Sequence, residues 1–262
     1  LSGRSGGLGL ASPPVKRLLL DPLRTAVTLL VMAPITLLAA SSAVVVSWVN
    51  PRSRLLRAVT TGWSRPWLTL TGTTLEVRGD IEDADLSYVI ISNHASWLDI
   101  MVNFLAVPVP VRFLAKKELF RIPFLGAGMR AMGMVEIDRE RAISMHEAIN
   151  EGVRKIVSKG DSVMVYPEGT RTRDGDFRPF KRGAFYMAID NQLPLLPVTI
   201  SGSYDAWPPG LVARGGRIVV EIGEPIPVDG LTRDDLAELK SRAETTIRET
   251  RERLDAEAHA RH

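Results

Sequence analysis

YVIISNHASWLD, residues 88–99, decides how the chain is read. Residues 88–92 form a short apolar run of the kind that makes a strand buried on both faces. The rest places an Asn, a His, a Ser and an Asp within seven residues. Ser96 is a natural cap for a helix beginning near Trp97, which accounts cheaply for the Ser and the Asp. It does not account for His94, one of only four histidines. At about 100° per residue, positions five apart lie about 140° from each other, so His94 and Asp99 cannot share a helical face. They can meet if His94 lies on the loop after the strand and Asp99 sits one turn into the helix, pointing back. A carboxylate there would hold one imidazole nitrogen protonated and leave the other free as a base. On spacing alone two readings stand, a satisfied loop histidine and a general base.

Strand and helix patterns continue outward from this stretch. Residues 73–79, 111–115, 134–137, 162–166, 195–201 and 217–222 read as further strands. Between them, Ile143, Ala148, Ile149, Val153, Ile156 and Val157 fall on one helical face, with Gly160 placed to end the helix. Thr232 can cap a last, highly charged helix running to about residue 260. Strands alternating with helices predict an α/β fold with a mixed central sheet flanked by helices. The 45% hydrophobic and 24% charged composition suits a globular chain. With no cysteine, disulfides, thiolate nucleophiles and thiolate zinc sites are excluded. No metal is expected either, since His146 lies alone mid-helix and His259 and His262 sit in the tail.

The N-terminal end has a different character. Residues 1–75 carry eight basic groups against one acid, Asp21, while the whole chain carries only +3. Such asymmetry points to an anionic surface. Within it, TAVTLLVMAPITLLAASSAVVVSWVNP (residues 25–51) has no charge and would reach about 40 Å as one helix, enough to cross a bilayer. Pro34 interrupts the run, so two membrane readings stand. One is a single spanning helix. The other is a helical pair dipping into one leaflet, with Trp48, Trp63 and Trp67 at the headgroups and arginines on phosphates. Lipid is favoured over nucleic acid, because an apolar run between arginines does not suit a phosphate groove. The expected division is a membrane-associated helical anchor over residues 1–70 and a catalytic domain over residues 71–262.

Two more clusters are rich in functional residue types. YPEGTRTRDGDFRPFKRG (residues 166–183) puts Glu168, Gly169, Thr170 and Arg171 on a turn after a strand, then a polar hairpin. Gly169 permits close backbone approach to a ligand, Arg171 can grip a phosphate bidentately, and Lys181 adds a point charge. An ordinary charged loop is the plain alternative. In residues 115–133, Lys116, Lys117 and Arg121 interleave with Phe120, Ile122, Phe124 and Leu125. A lipid phosphate with its chain alongside, a membrane-facing amphipathic stretch and a plain surface helix all fit that pattern.

Taken together, these segments resemble the glycerolipid acyltransferase family typified by bacterial 1-acylglycerol-3-phosphate acyltransferases. Residues 93–99 match its His-x4-Asp motif. Lys116-Lys117-Glu118-Leu119, with Pro123, Gly126, Gly133 and Ile137-Asp138-Arg139, match the second block. Residues 166–171 with 180–183 match the third, with Tyr166 where Phe is usual, and residues 195–198 match the fourth. The likeness covers residues 88 to about 203. It implies acyl transfer from a thioester, acyl-CoA or acyl carrier protein as co-substrate, to the free hydroxyl of a lysophospholipid, foremost 1-acylglycerol-3-phosphate. It implies His94 as general base, Asp99 orienting it, and Lys116, Glu168, Gly169, Thr170, Arg171 and Lys181 binding the substrate, with no further cofactor. The expected partner is a phospholipid membrane and the expected location the cytoplasmic face of the cell membrane. Another acceptor (lyso-ornithine lipid, lysophosphatidylglycerol or glycerol-3-phosphate) and a non-catalytic membrane-binding relative are the alternatives. A lipid hydrolase fits poorly, because no Gly-x-Ser-x-Gly elbow is present.

Overall fold

The structure is a computed structural model that describes residues 15–49, 54–137, 142–210 and 212–260. Seven strands form one sheet: β1 (Thr73–Arg78), β2 (Val89–Ser92), β3 (Val111–Lys116), β4 (Val135–Ile137), β5 (Ser162–Val165), β6 (Leu195–Ser201) and β7 (Gly216–Ile222). Their spatial order is β1-β7-β6-β2-β5-β3-β4. Every neighbouring pair is parallel except β6 with β7, which makes the sheet mixed.

The central strands are apolar because both of their faces are covered. All four residues of β2 and all seven of β6 are buried. The strand period of two then sends alternate side chains into two cores. Ile90 joins Leu98, Val102, Phe104, Phe113, Met164 and Ile200 on one face. Val89 and Ile91 join Val153, Val163, Phe185, Leu195 and Ile247 on the other. Helices α2 (Arg54–Thr71) and α3 (Asp99–Ala106) lie on the first side. Helices α6 (Ala142–Val157), α7 (Gly183–Asn191) and α9 (Leu236–His259) lie on the second. Short helices α4 (Lys117–Phe120), α5 (Leu125–Ala131) and α8 (Ser203–Ala206) lie between strands. Thr232 does cap the final helical segment, through a capping box with Asp235 that opens on a short 3-10 turn before α9.

Two expectations for the N-terminal end need correction. Helix α1 (Val15–Val49) runs straight through Pro22 and Pro34 instead of breaking at Pro34. An interior proline costs roughly 3 kcal/mol. Packing offsets it here: Met32, Ala40 and Ala43 are buried against the rest of the molecule, and Trp63 Nε1 donates to Thr36 Oγ1 at 3.0 Å. Trp63 and Trp67 are also half-buried, not fully exposed on the surface. They pack edge-to-face on each other, and they reach Phe104 and Trp207 in the first core. Of the three tryptophans, Trp48 is the exposed one, at 80%. The span Leu20–Val49 is long and apolar enough to cross a membrane, and only 17% of its most apolar window is buried.

Candidate active site

Strand β2 ends beside β6, and Asn93 locks that junction. Its side-chain amide donates to Ile200 O and accepts from Ile200 N–H, both at 2.8 Å. With the strand end fixed, the next residue, His94, leaves the sheet on a short loop that re-enters α3 at Asp99.

Asp99 Oδ2 accepts three hydrogen bonds: from His94 Nδ1 at 2.7 Å, Ala95 N–H at 2.7 Å and Ser96 N–H at 2.8 Å. The Asp99 side chain is fully buried, and that of His94 is 14% exposed. These three donors converge on Oδ2 and stabilise the buried charge there, while Oδ1 is buried with no hydrogen-bond partner among the described residues. The contact also selects the tautomer: Nδ1 carries the proton toward Asp99, and Nε2 is left with its lone pair. Asp99 is the first residue of α3, not one turn into it, and Ser96 is not its N-cap. Position Leu98 is the N-cap, with no side-chain cap bond. Ser96 Oγ instead accepts from Leu98 N–H at 3.1 Å and donates to Trp207 O at 2.7 Å, tying the loop to the first core.

The face of the imidazole is held as well as its edge. Tyr166, just past β5, stacks on it with ring centroids 3.9 Å apart and planes within 12°. Asn103 Nδ2, one turn along α3 from Asp99, donates to Tyr166 Oη at 3.0 Å. Burial pushes the Tyr166 hydroxyl well above its usual pKa, so it stays protonated. Neither Tyr166 nor Asn103 was among the candidate residues. Their signal in the sequence is faint, an Asn four residues after Asp99 and a Tyr in place of Phe.

The second cluster folds directly onto the first. Glu168 is buried, and its oxygens accept from His94 N–H at 2.7 Å and Arg178 N–H at 3.2 Å. Desolvation raises its carboxyl to about 7 despite those two bonds. Glu168 therefore grips the histidine loop through its carboxylate. Thr172 N–H donates to His94 O at 3.1 Å, which closes the second link between the loops. The turn between these links needs Gly169, whose φ is +76°. A Cβ there would also come within 2.6 Å of Lys181 Nζ, so Lys181 lies across the glycine. Arg171, on the same turn, places its guanidinium carbon 3.6 Å over the Trp97 ring. Burial lowers its pKa, and the nearby Asp99 charge opposes that. Thr170 is exposed beside it.

The structure thus brings His94, Asp99, Glu168, Gly169, Thr170, Arg171 and Lys181 into one neighbourhood. Lys116 stands apart. Its backbone ends β3, two strands from β2 and so about 10 Å away across the sheet, and its side chain lies outside the described residues. Among the described residues, no three His, Asp or Glu side chains gather as a metal would require.

A family model described as Acyltransferase matches residues 74–201. Human 1-acyl-sn-glycerol-3-phosphate acyltransferase alpha is 33% identical over 175 residues, 66% of this chain and 62% of that protein. The 1-acyl-sn-glycerol-3-phosphate acyltransferase of Saccharomyces cerevisiae is 30% identical over 184 residues, 69% of this chain and 61% of its own length. The chain thus spans about three fifths of the curated relatives it matches. The crystal structure of the 1-acyl-sn-glycerophosphate acyltransferase from Thermotoga maritima shares the fold, with a TM-score of 0.79 at 24% identity, covering 92% of this chain and 98% of that one. The matching model and the shared description of these relatives lead to the same place: residues 74–201 match the Acyltransferase family and are similar to glycerolipid acyltransferases.

Proposed function

We propose that the chain is a membrane-bound O-acyltransferase, moving a fatty acyl group from an acyl thioester to the free hydroxyl of 1-acylglycerol-3-phosphate to give phosphatidic acid. The observation that carries this is the 2.7 Å contact between His94 Nδ1 and Asp99 Oδ2, which leaves Nε2 as a base at a partly open position. Nε2 takes the proton of the acceptor hydroxyl, and the alkoxide oxygen attacks the thioester carbonyl. The tetrahedral intermediate collapses with loss of the thiolate, which recovers the proton from the imidazolium. Asp99 stabilises that imidazolium in place, and the stacked Tyr166 ring favours the cation as it forms. No covalent acyl-enzyme is needed, since the substrate supplies the nucleophile.

Arg171 stands on the turn locked to the His94 loop and Lys181 lies across it, and both are suited to the acceptor phosphate. Gly169 and Thr170 shape that turn, and Lys116 is a further phosphate candidate. Glu168 acts one step back, by holding the His94 amide in place. The donor is acyl-CoA or acyl carrier protein, used as co-substrate. Residues 1–70 serve as the anchor and residues 71–262 as the catalytic unit, docked on the cytoplasmic leaflet. A lipid-bound acceptor and its product would then remain in the bilayer throughout. Purified protein given a panel of lysolipid acceptors and acyl donors, with products read by mass spectrometry, tests the reading. Phosphatidic acid should form fastest. No acyl transfer to any acceptor would refute it.

A further inference from the structure

Residues 119–125 carry the chain from α4 into α5, and their apolar side chains do not all turn inward. Phe120 is buried, yet Leu119 is 40% exposed, Ile122 46% and Phe124 60%. Phe124 has φ +62° and ψ −51°. Its neighbour Leu125 donates its N–H to Pro123 O at 2.7 Å, closing a three-residue turn of the rare, strained hand. A bulky aromatic adopts this backbone only where its surroundings hold it. Here Gly126 N–H bonds Ile122 O and Gly128 N–H bonds Phe124 O, both at 2.9 Å. Gly126 lies so close to Phe120 that a Cβ would come within 2.1 Å of its carbonyl oxygen. The fold therefore spends strain to keep an aromatic ring out of the core.

The turn that carries it lies beside another exposed apolar surface. A Cβ added to Gly128 of α5 would come within 2.8 Å of Ala40 on α1, so the two helices touch at backbone distance. A groove of about 400 Å³ runs between the turn and α1, lined by Leu29, Met32, Leu37, Trp67, Ile122 and Leu125. Leu29 is 51% and Leu37 49% exposed, and they lead outward to Leu30 at 76% and Leu38 at 69%. The apolar face of α1 and the turn are thus one continuous surface. Arg121 is exposed on the turn, with Arg130 close by over the Phe120 ring, a pairing of cations with apolar tips that fits anionic headgroups above acyl chains.

We infer that the turn at residues 119–125 is a second contact with the phospholipid bilayer. Leu119, Ile122 and Phe124 enter the acyl boundary next to α1, and Arg121 meets lipid phosphate. One helix alone would leave the catalytic unit free to swivel about it. A second contact fixes which side of that unit faces the lipid. The inference rests on α1 being a membrane anchor, and the test separates the two claims.

Because the chain has no cysteine, single labelling sites are clean. Full-length Leu30→Cys, Ile122→Cys, Phe124→Cys and Glu249→Cys variants would each carry an NBD fluorophore. Each is reconstituted with phosphatidylcholine and phosphatidylglycerol vesicles, with and without doxyl-labelled lipid. Labels at 30, 122 and 124 should shift to the blue and lose about half or more of their emission to the doxyl lipid, while the label at 249 on α9 should not. If 122 and 124 behave like 249 while 30 is quenched, the second contact is overturned and the anchor stands. If 30 also escapes quenching, both claims fall. A blue shift at 122 and 124 without lipid quenching would mean that the turn docks on protein, such as a second copy, and would overturn the proposal. Position 122 keeps the test valid if replacing Phe124 relaxes its strained backbone.

Discussion

The loop at His94 and the outer face of α1 depart from ordinary burial in opposite directions. At the loop, Asn93, Asp99 and Glu168 are polar and enclosed. On α1, Leu30, Leu38, Val45 and Trp48 are apolar and exposed, at 76%, 69%, 55% and 80%. Most of the enclosed polar atoms find their partners within the chain: three donors for Asp99 Oδ2, though none for Oδ1, two bonds for Asn93, two amides for Glu168. Among the described residues, none covers these side chains of α1. One region is finished by folding and the other by docking, so mutations in them should fail in different assays.

The sharpest break in the first region is Asp99→Asn. The amide cannot hold the Nδ1 proton as a carboxylate does, nor stabilise the imidazolium, so acyl transfer should fall about 10³-fold. Vesicle binding should be unaltered. A loss under tenfold would remove Asp99 from the mechanism.

In the second region, Leu30→Asp with Leu38→Asp should leave lysolipid turnover in detergent within about twofold. Sedimentation with vesicles should weaken at least tenfold, given roughly 1.5–3 kcal/mol for each leucine withdrawn from lipid. Unchanged sedimentation would mean that α1 is not the anchor.

Glu168→Gln comes next. Gln keeps one acceptor but turns a donor toward the other amide, so kcat should drop about tenfold while KM for the phospho-acceptor stays within about twofold. A rise in KM alone would restore Glu168 to substrate contact. The same residue has a pH signature. Its carboxyl is raised from 4.5 to about 7, so the folded state holds the proton more tightly than the unfolded chain. That stabilisation is complete below about pH 4.5 and is lost as pH rises through about 7, amounting to roughly 3 kcal/mol. Thermal melts from pH 4.5 to 7.5 should therefore show a downward component that Glu168→Gln flattens.

The smallest effect belongs to Tyr166→Phe. The stack on His94 survives and only the Asn103 bond is lost, so activity should stay within about threefold, whereas Tyr166→Leu should cost more. Equal losses would place the hydroxyl, not the ring face, in the mechanism.

These contrasts explain what could be read from the sequence. Strands β2 and β6 were legible because a parallel strand covered on both faces must be an apolar run, and β6 was bounded to the residue. The His94–Asp99 pairing was legible as a possibility, since five-residue spacing required a loop before the helix. Its supports were not. Glu168 meets His94 across 74 positions of chain, and its partners are backbone amides, which carry no sequence signature. Helix α1 passes Pro34 because packing on α2 and α5 outweighs one lost backbone bond. Trp63 and Trp67 are half-buried because the amphipathic α2 packs part of each ring on the first core. Flanking arginines made them look like headgroup anchors, and only the position of Phe104 and Trp207 shows otherwise.

The central claim is that Nε2 of His94 removes the acceptor proton. Initial rates of phosphatidic acid formation by purified His94→Ala, with circular dichroism and vesicle binding measured on the same preparation, address it most directly. Turnover should fall by about 10³-fold or more with the fold and vesicle binding intact. Retention of most of the activity would contradict the account.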